Sequence, residues 1–172
     1  MDSERPTPED NDDELTHGYF GREHIAQVWM MYHEGIVPRG NDRIMLQVLT
    51  MHPEYYEAWD LATTGTREEQ VVVDEVNPYL HAYFHAVVEN QIETENPPEV
   101  AQTYKALLNA RMDLHETIHR IAELLADQVW SIMHDNKPFD EQRYIRDLAK
   151  LRRSAERARR RKERESQAPD RE

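Results

Sequence analysis

Residues 113–136 of the chain read DLHETIHRIAELLADQVWSIMHDN. The stretch opens with a helix-start signal, because Asp113 followed by Glu116 has the spacing of a capping box. Its apolar residues then recur every three or four positions, as on the buried face of a helix; they are Ile118, Ala122, Leu125, Val129 and Ile132. Asn136, followed by Lys137-Pro138, is a stop signal. These features predict one long amphipathic helix.

The same periodicity, together with further start and stop signals, predicts helices on both sides of this stretch. Their start signals are caps and prolines at first helical positions. Helices are expected over Tyr19–Glu34 and Glu54–Trp59, and further helices are expected to begin at Asn41, Asn77-Pro78, Asn96-Pro97 and Asp140. Residues 62–76 are expected to form a loop with room for one short strand at Val71-Val72-Val73. The predicted fold class is therefore all-α, a helical bundle of five to seven helices.

Composition excludes several classes of protein. The 172 residues contain no cysteine, which rules out disulfides, thiolate zinc sites, iron–sulfur clusters and thiol nucleophiles. Only five glycines are present, which argues against a turn-rich β-sandwich or barrel. No apolar run approaches the roughly 20 residues that span a bilayer, and the acidic N-terminus does not resemble a signal peptide. A cytoplasmic protein with no membrane partner is the expectation.

The formal charge of −13 is unevenly distributed. Residues 1–16 are predicted to be a disordered acidic tail, 17–151 a single α-helical domain, and 152–172 a charged tail that is helical or disordered. The basic run in this last tail is typical of a solvated helix end, or of a weak contact with nucleic acid or an acidic surface. The acidic body argues against a dedicated nucleic-acid binder. The sequence leaves open whether the chain binds a protein partner or forms a homo-oligomer.

Four of the nine histidines form two pairs with helical spacing, His81 with His85 and His115 with His119. Residues four apart lie on the same helix face, so both imidazoles of a pair can reach one point. Two antiparallel helices of this kind could supply a four-imidazole or imidazole–carboxylate shell. One turn after each pair stands a carboxylate, Glu89 after His85 and Glu123 after His119. The predicted site is therefore a divalent transition metal, zinc or iron, bound by His81, His85, His115 and His119, with these carboxylates as further candidate ligands.

Two alternatives stay open for these histidines. In the first, the protein is a structural or adaptor protein whose histidines bond to one another, to buried Tyr and Glu, or to the backbone. In the second, His115-Glu116-Thr117-Ile118-His119 is the His-Glu-x-x-His signature of zinc hydrolases, with Glu116 as general base. The capping box already accounts for Glu116, and the chain offers almost no strand to hold a peptide substrate.

Three motifs resemble a family of uncharacterised bacterial proteins known only as a domain of unknown function. They are Asn77-Pro-Tyr-Leu-His81-Ala-Tyr-Phe-His85, His115-x-x-x-His119-x-x-x-Glu123 and His52-Pro-Glu54-Tyr, and the similarity runs from about Glu23 to Leu151. The resemblance implies that the two pairs and Glu123 form a site, with His52 and Glu54 as outer candidates, but it implies no reaction.

The chain departs from the pattern of that family at several positions. Family members usually have His at Tyr56 and Glu at Asp42, and they lack Glu at position 116. The acid after the first His pair usually stands where this chain has Asn90, which weakens Glu89 as a ligand.

Overall fold

A computed structural model of the chain describes residues 19–65 and 71–166. The described residues form seven α-helices and one 3-10 turn and contain no strand, which confirms the all-α prediction. The elements are α1 Tyr19–His33, α2 Asn41–Thr50, the 3-10 turn Pro53–Tyr55, α3 Tyr56–Thr63, α4 Pro78–Thr94, α5 Pro98–Asn109, α6 Leu114–Asp135 and α7 Glu141–Ser166. The tail predicted over residues 1–16 lies outside the described residues.

The chain divides into two compact units, the first ending at Ala86 and the second beginning at Val87. The division falls within α4, so this one continuous helix contributes residues to both units. Within the described range, none of the helices combines the length and the apolar character needed to cross a membrane.

The core of the first unit is built from the apolar faces of α1, α2 and α3. Val28, Leu49 and Trp59 are almost completely buried there. Two buried polar groups are satisfied by backbone carbonyls: Trp59 Nε1 donates to Leu49 at 3.3 Å, and the Tyr79 hydroxyl donates to Ala58 at 2.8 Å. The second of these bonds ties the first turn of α4 to α3.

The start of α2 differs from the prediction that Asn41 is its N-cap. The cap is Gly40, and Asn41 is the first helical residue. Gly40 has φ +56° and ψ −132°, a conformation that is readily adopted only without a Cβ. The buried face of α2 consists of Ile44, Met45, Val48 and Leu49.

The structure also shows no strand at Val71-Val72-Val73, where the sequence leaves room for one. Val73 and Val76 form a single antiparallel bridge, and their backbones exchange two hydrogen bonds of 2.9 Å. Asp74 and Glu75 between them both have positive φ, as the two central residues of a tight hairpin turn do. The turn closes on itself after one bridge, so no strand extends from it.

In the second unit, α7 packs mainly against α5, and α6 packs against both of them. The Asp113 carboxylate accepts hydrogen bonds from the backbone N–H groups of His115 at 2.8 Å and Glu116 at 3.2 Å, which confirms the predicted cap of α6. Asp140 caps α7 in the same way through Arg143. The predicted apolar face of α6 is buried at Ile118, Ala122 and Leu125.

Asn96 was predicted to cap α5, and this is wrong. Pro97 is the N-cap and Pro98 the first helical residue. A proline has no polar side chain to cap with, so the helix starts here because proline favours its first turn.

Candidate metal centre

The first turns of α4 place His81 and His85 on one side of the helix. Asn77 Oδ1 accepts a hydrogen bond from the backbone N–H of Leu80 at 3.1 Å, which confirms the predicted start of this helix. The rings of His81 and His85 are stacked, with centroids 4.5 Å apart. Leu80 of this helix is 45% exposed, whereas His85 is 2% exposed. The buried face therefore includes a histidine rather than running beside it.

His52 lies at the corner between α2 and the 3-10 turn and is 1% exposed. Its Nδ1 is 2.8 Å from the backbone carbonyl of Val48, one turn back along the chain. Because a carbonyl can only accept, Nδ1 carries the ring proton, and Nε2 of the neutral ring presents a lone pair. The Val48 carbonyl thereby fixes both the tautomer and the orientation of His52.

His81 Nε2 lies 2.9 Å from His52 Nε2. In the neutral pair the His81 N–H donates to the His52 lone pair. The His52 ring also meets the edge of the His85 ring, with centroids 4.7 Å apart, and stacks on Tyr55. Three imidazoles of the first unit are therefore packed together, and we call His52, His81 and His85 the His52 group.

The second unit contains the other predicted pair. His115 and His119 are both half-buried on the first turns of α6, and their Nε2 atoms are 2.8 Å apart. The two rings meet edge to face, with centroids 4.4 Å apart. We call these two residues the His115 pair.

Both nitrogen pairs suit a transition metal. Two imidazole nitrogens on one tetrahedral zinc ion lie about 3.3 Å apart, given Zn–N distances of about 2.0–2.1 Å. The 2.9 Å and 2.8 Å separations lie within about half an ångström of this value. Among the described residues, His52 and His85 of the first unit could serve as ligands of a metal ion, and so could His115 and His119 of the second.

The predicted carboxylate ligand is engaged elsewhere. Glu123 Oε2 accepts a hydrogen bond from Arg120 at 2.9 Å, and the Glu123 side chain is 60% exposed. Metal binding by Glu123 would require its carboxylate to exchange Arg120 for the ion, and its ligand role stays a prediction. Glu116 is exposed in the first turn of α6, and Glu54 is exposed on the 3-10 turn.

Sequence reasoning understated His52, which was only an outer candidate. The signal for it is its spacing of four residues after Val48, which continues the buried face of α2 just past the end of that helix. Tyr55 was not singled out at all. Burial, with smaller contributions from the Glu54 and Asp74 charges, raises the pKa of Tyr55, so this ring packs on His52 as a neutral phenol.

Comparison with known proteins identifies the family but no function. The model of the family described as Domain of unknown function (DUF1841) matches residues 20–150. No curated protein and no solved structure matches the chain. Because the matched residues are well over half of the sequence, the chain belongs to the DUF1841 family of unknown function.

Proposed function

We propose that imidazoles of this protein bind a divalent transition metal, zinc or iron: those of the His52 group in the first unit, and those of the His115 pair in the second. The observation that carries the proposal is the contact of His52 Nε2 with His81 Nε2 at 2.9 Å, with the other nitrogen of His52 bonded to a backbone carbonyl. A metal-binding histidine usually donates its second ring N–H in this way.

The donor chemistry also favours this class of metal. Imidazole suits zinc, iron, copper and nickel, whereas a calcium or magnesium site would need mainly oxygen ligands. Each close Nε2 pair already brings two donor atoms together, so little side-chain entropy remains to be lost on binding. A bound ion would supply Lewis acidity or, if it is iron, redox chemistry.

The decisive experiment is elemental analysis of protein purified without an affinity tag. We expect bound zinc or iron, and a melting temperature that falls when a chelator removes the ion and rises when the ion is returned. An ion at about one hundred times its Kd would stabilise the folded chain by about 2.7 kcal/mol. Metal-free protein with a chelator-insensitive melt would contradict the proposal.

Single substitutions locate the ligands. We expect His81→Ala and His119→Ala each to reduce the metal content and the chelator response. The matched controls are His33→Ala and His134→Ala, because these two histidines are exposed at the ends of α1 and α6. Equal losses in the controls would mean that the metal binds exposed histidines without selection.

The structural alternative is supported by the same contacts. Each close Nε2 pair can hold one hydrogen bond without any metal. A protein of this kind would still lose stability in His81→Ala, because the Nε2 atom of buried His52 would lose a partner. Its melting temperature would not respond to chelator, which separates it from the metal-binding protein.

The hydrolase alternative depends on Glu116. As a general base, Glu116 would be needed for hydrolysis but not for metal binding, so Glu116→Gln would retain the ion and lose the activity by several orders of magnitude. Its exposed position in the first turn of α6 favours the capping role, and we expect the substitution to lower the melting temperature slightly. Peptidase activity that disappears in Glu116→Gln would reverse this ranking.

A further inference from the structure

Tyr83 lies on α4 between His81 and His85 but on another side of the helix. Two residues correspond to about 200° of rotation in an α-helix, so the Tyr83 side chain leaves α4 almost opposite to both histidines. Its hydroxyl contacts His24 and the Gly21 carbonyl, both on α1.

The hydroxyl of Tyr83 ends a chain of hydrogen bonds across three helices. It is 2.9 Å from His24 Nδ1 and 3.5 Å from the Gly21 carbonyl, both on α1. His24 Nε2 in turn donates to Asp42 Oδ1 on α2 at 2.7 Å. Since the carboxylate holds the proton on Nε2, Nδ1 of the neutral ring accepts from Tyr83. Burial raises the pKa of Tyr83, with the Asp42 charge adding to the effect, so the phenol remains a donor.

Gly21 is the site at which the Tyr83 ring touches the α1 backbone. A Cβ on Gly21 would lie 2.6 Å from Tyr83 Cδ2 and closer still to Cε2, which is far inside contact distance. Glycine is a poorer helix former than alanine, so its presence in α1 calls for a reason. The reason here is room for the ring, which lets α4 approach α1 at this point.

We propose that Gly21, His24, Asp42 and Tyr83 form a lock that sets the rotation of α4 and so positions His81 against His52 for metal binding. This inference rests on the proposed function. An imidazole nitrogen lies about 6–7 Å from the helix axis, so a rotation of about 10° moves it by about 1 Å. The ligand atoms of a binding site must be held within about 0.5 Å of the productive geometry. A rotation of this size, which the lock prevents, is therefore enough to disturb the site.

The test uses the full-length chain and Co²⁺ or Zn²⁺ as the probe. Affinity is measured by competition with a chromophoric chelator, and the absorption spectrum of bound Co²⁺ reports the ligand geometry. We expect Gly21→Ala and Tyr83→Phe each to weaken binding by about 10- to 100-fold and to change the Co²⁺ spectrum, as loss of a supporting partner usually does. Asp42→Glu, which keeps the carboxylate, should restore most of the affinity that Asp42→Asn loses.

A matched control separates positioning from general destabilisation. Trp29→Phe removes the bond from Trp29 Nε1 to Asp60, which is 2.7 Å long and lies in the same unit but does not involve α4. We expect it to lower the melting temperature while leaving the affinity and the Co²⁺ spectrum unchanged. If Gly21→Ala does not fold, Tyr83→Phe and Asp42→Asn carry the test.

The outcomes distinguish the two proposals. If the wild type binds the ion and the lock variants bind it equally well with the same spectrum, the lock is wrong and metal binding stands. If Trp29→Phe weakens binding as much as the lock variants do, the effect is general and the lock is again wrong. A wild type that binds neither ion overturns the proposed function and the lock with it.

Discussion

The stability of the first turn of α6, which carries His115, depends on whether the carboxyl group of Asp113 is ionised. The backbone N–H groups of Glu116 and His115 hold the pKa of Asp113 below its usual value of 3.8. A lowered pKa means that the ionised carboxylate stabilises the folded chain. The stabilisation is present above the pKa that Asp113 has in the unfolded chain and is lost as the pH falls through the lower folded value.

Asp113→Asn tests this linkage, because asparagine caps a helix through the same oxygen but carries no charge. We expect the wild type to melt at a higher temperature than the variant at pH 7, and the difference to shrink as the pH falls below about 4. Melting curves of both proteins between pH 7 and pH 3 measure it. A difference that stays constant over this range would show that the charge contributes nothing.

At the scale of elements, α7 has two parts with different roles. Its first part packs in the second unit: Tyr144 and Leu148 are buried, and the Leu148 carbonyl accepts a hydrogen bond from Thr103 of α5. Ala155 is the last buried residue of the part of α7 that the structure describes, and residues 157–166 are exposed throughout. Local ion pairs such as Arg159 with Glu163 at 3.2 Å support this outer part. Pairs of this kind contribute about 0.2–0.5 kcal/mol each.

Two truncations of α7 should therefore behave differently. Deleting residues 157–172 removes only exposed or undescribed residues, and we expect the free energy of unfolding to change by less than about 0.5 kcal/mol. Deleting residues 152–172 also removes buried Ala155 and the Arg152 contact with Gln102, so it should lower the melting temperature measurably. Equal melting temperatures for the two truncations would show that the buried turn adds no stability.

The elements also show which parts of the fold are readable from the sequence. Start signals with a polar acceptor were right at Asn77, Asp113 and Asp140, because a side chain that bonds to its own helix is a local interaction. The signals were wrong at Asn41 and Asn96, because the caps there are Gly40 and Pro97, and neither makes a side-chain hydrogen bond to its helix.

In the candidate site, too, the sequence predicts contacts between residues close in the chain but not contacts between distant residues. The two His pairs follow from helical spacing, and the structure brings each pair together. The contact of His52 with His81 joins residues 29 positions apart and depends on the packing of α4 near the end of α2. Leu80 of the same helix is exposed whereas His85 is buried, and hydrophobic periodicity takes no account of a histidine that packs as a core residue.

For the whole molecule, the buried tyrosines of both units make the stability of the fold depend on pH in the alkaline range. Burial is the main reason that the tyrosine pKa values are raised at Tyr55, Tyr79, Tyr83, Tyr104 and Tyr144. A raised pKa of an acid means that folding favours its protonated form. The resulting stability is complete below the unfolded tyrosine pKa of about 10 and is lost as the pH rises through the folded values.

We therefore expect the melting temperature to fall steeply above about pH 10, with the absorbance of tyrosinate rising together with loss of helix. Circular dichroism and absorbance at several pH values measure the two signals. Tyr144→Phe should reduce the alkaline sensitivity, although it also removes the 2.9 Å bond to Gln91 and so costs about 1 kcal/mol. Full tyrosine ionisation before any loss of helix would contradict this account.

The exposed outer part of α7 has a practical consequence for handling the protein. A helix end held only by its own ion pairs opens often, and a protease needs an open backbone to cut. This end contains arginine or lysine at six positions between residues 157 and 164, each a cleavage point for trypsin. Limited digestion should shorten the chain from this end first, before the buried part of α7 is cut. An affinity tag fused to the C-terminus would be lost with the fragment, whereas the trimmed product would keep every proposed metal ligand.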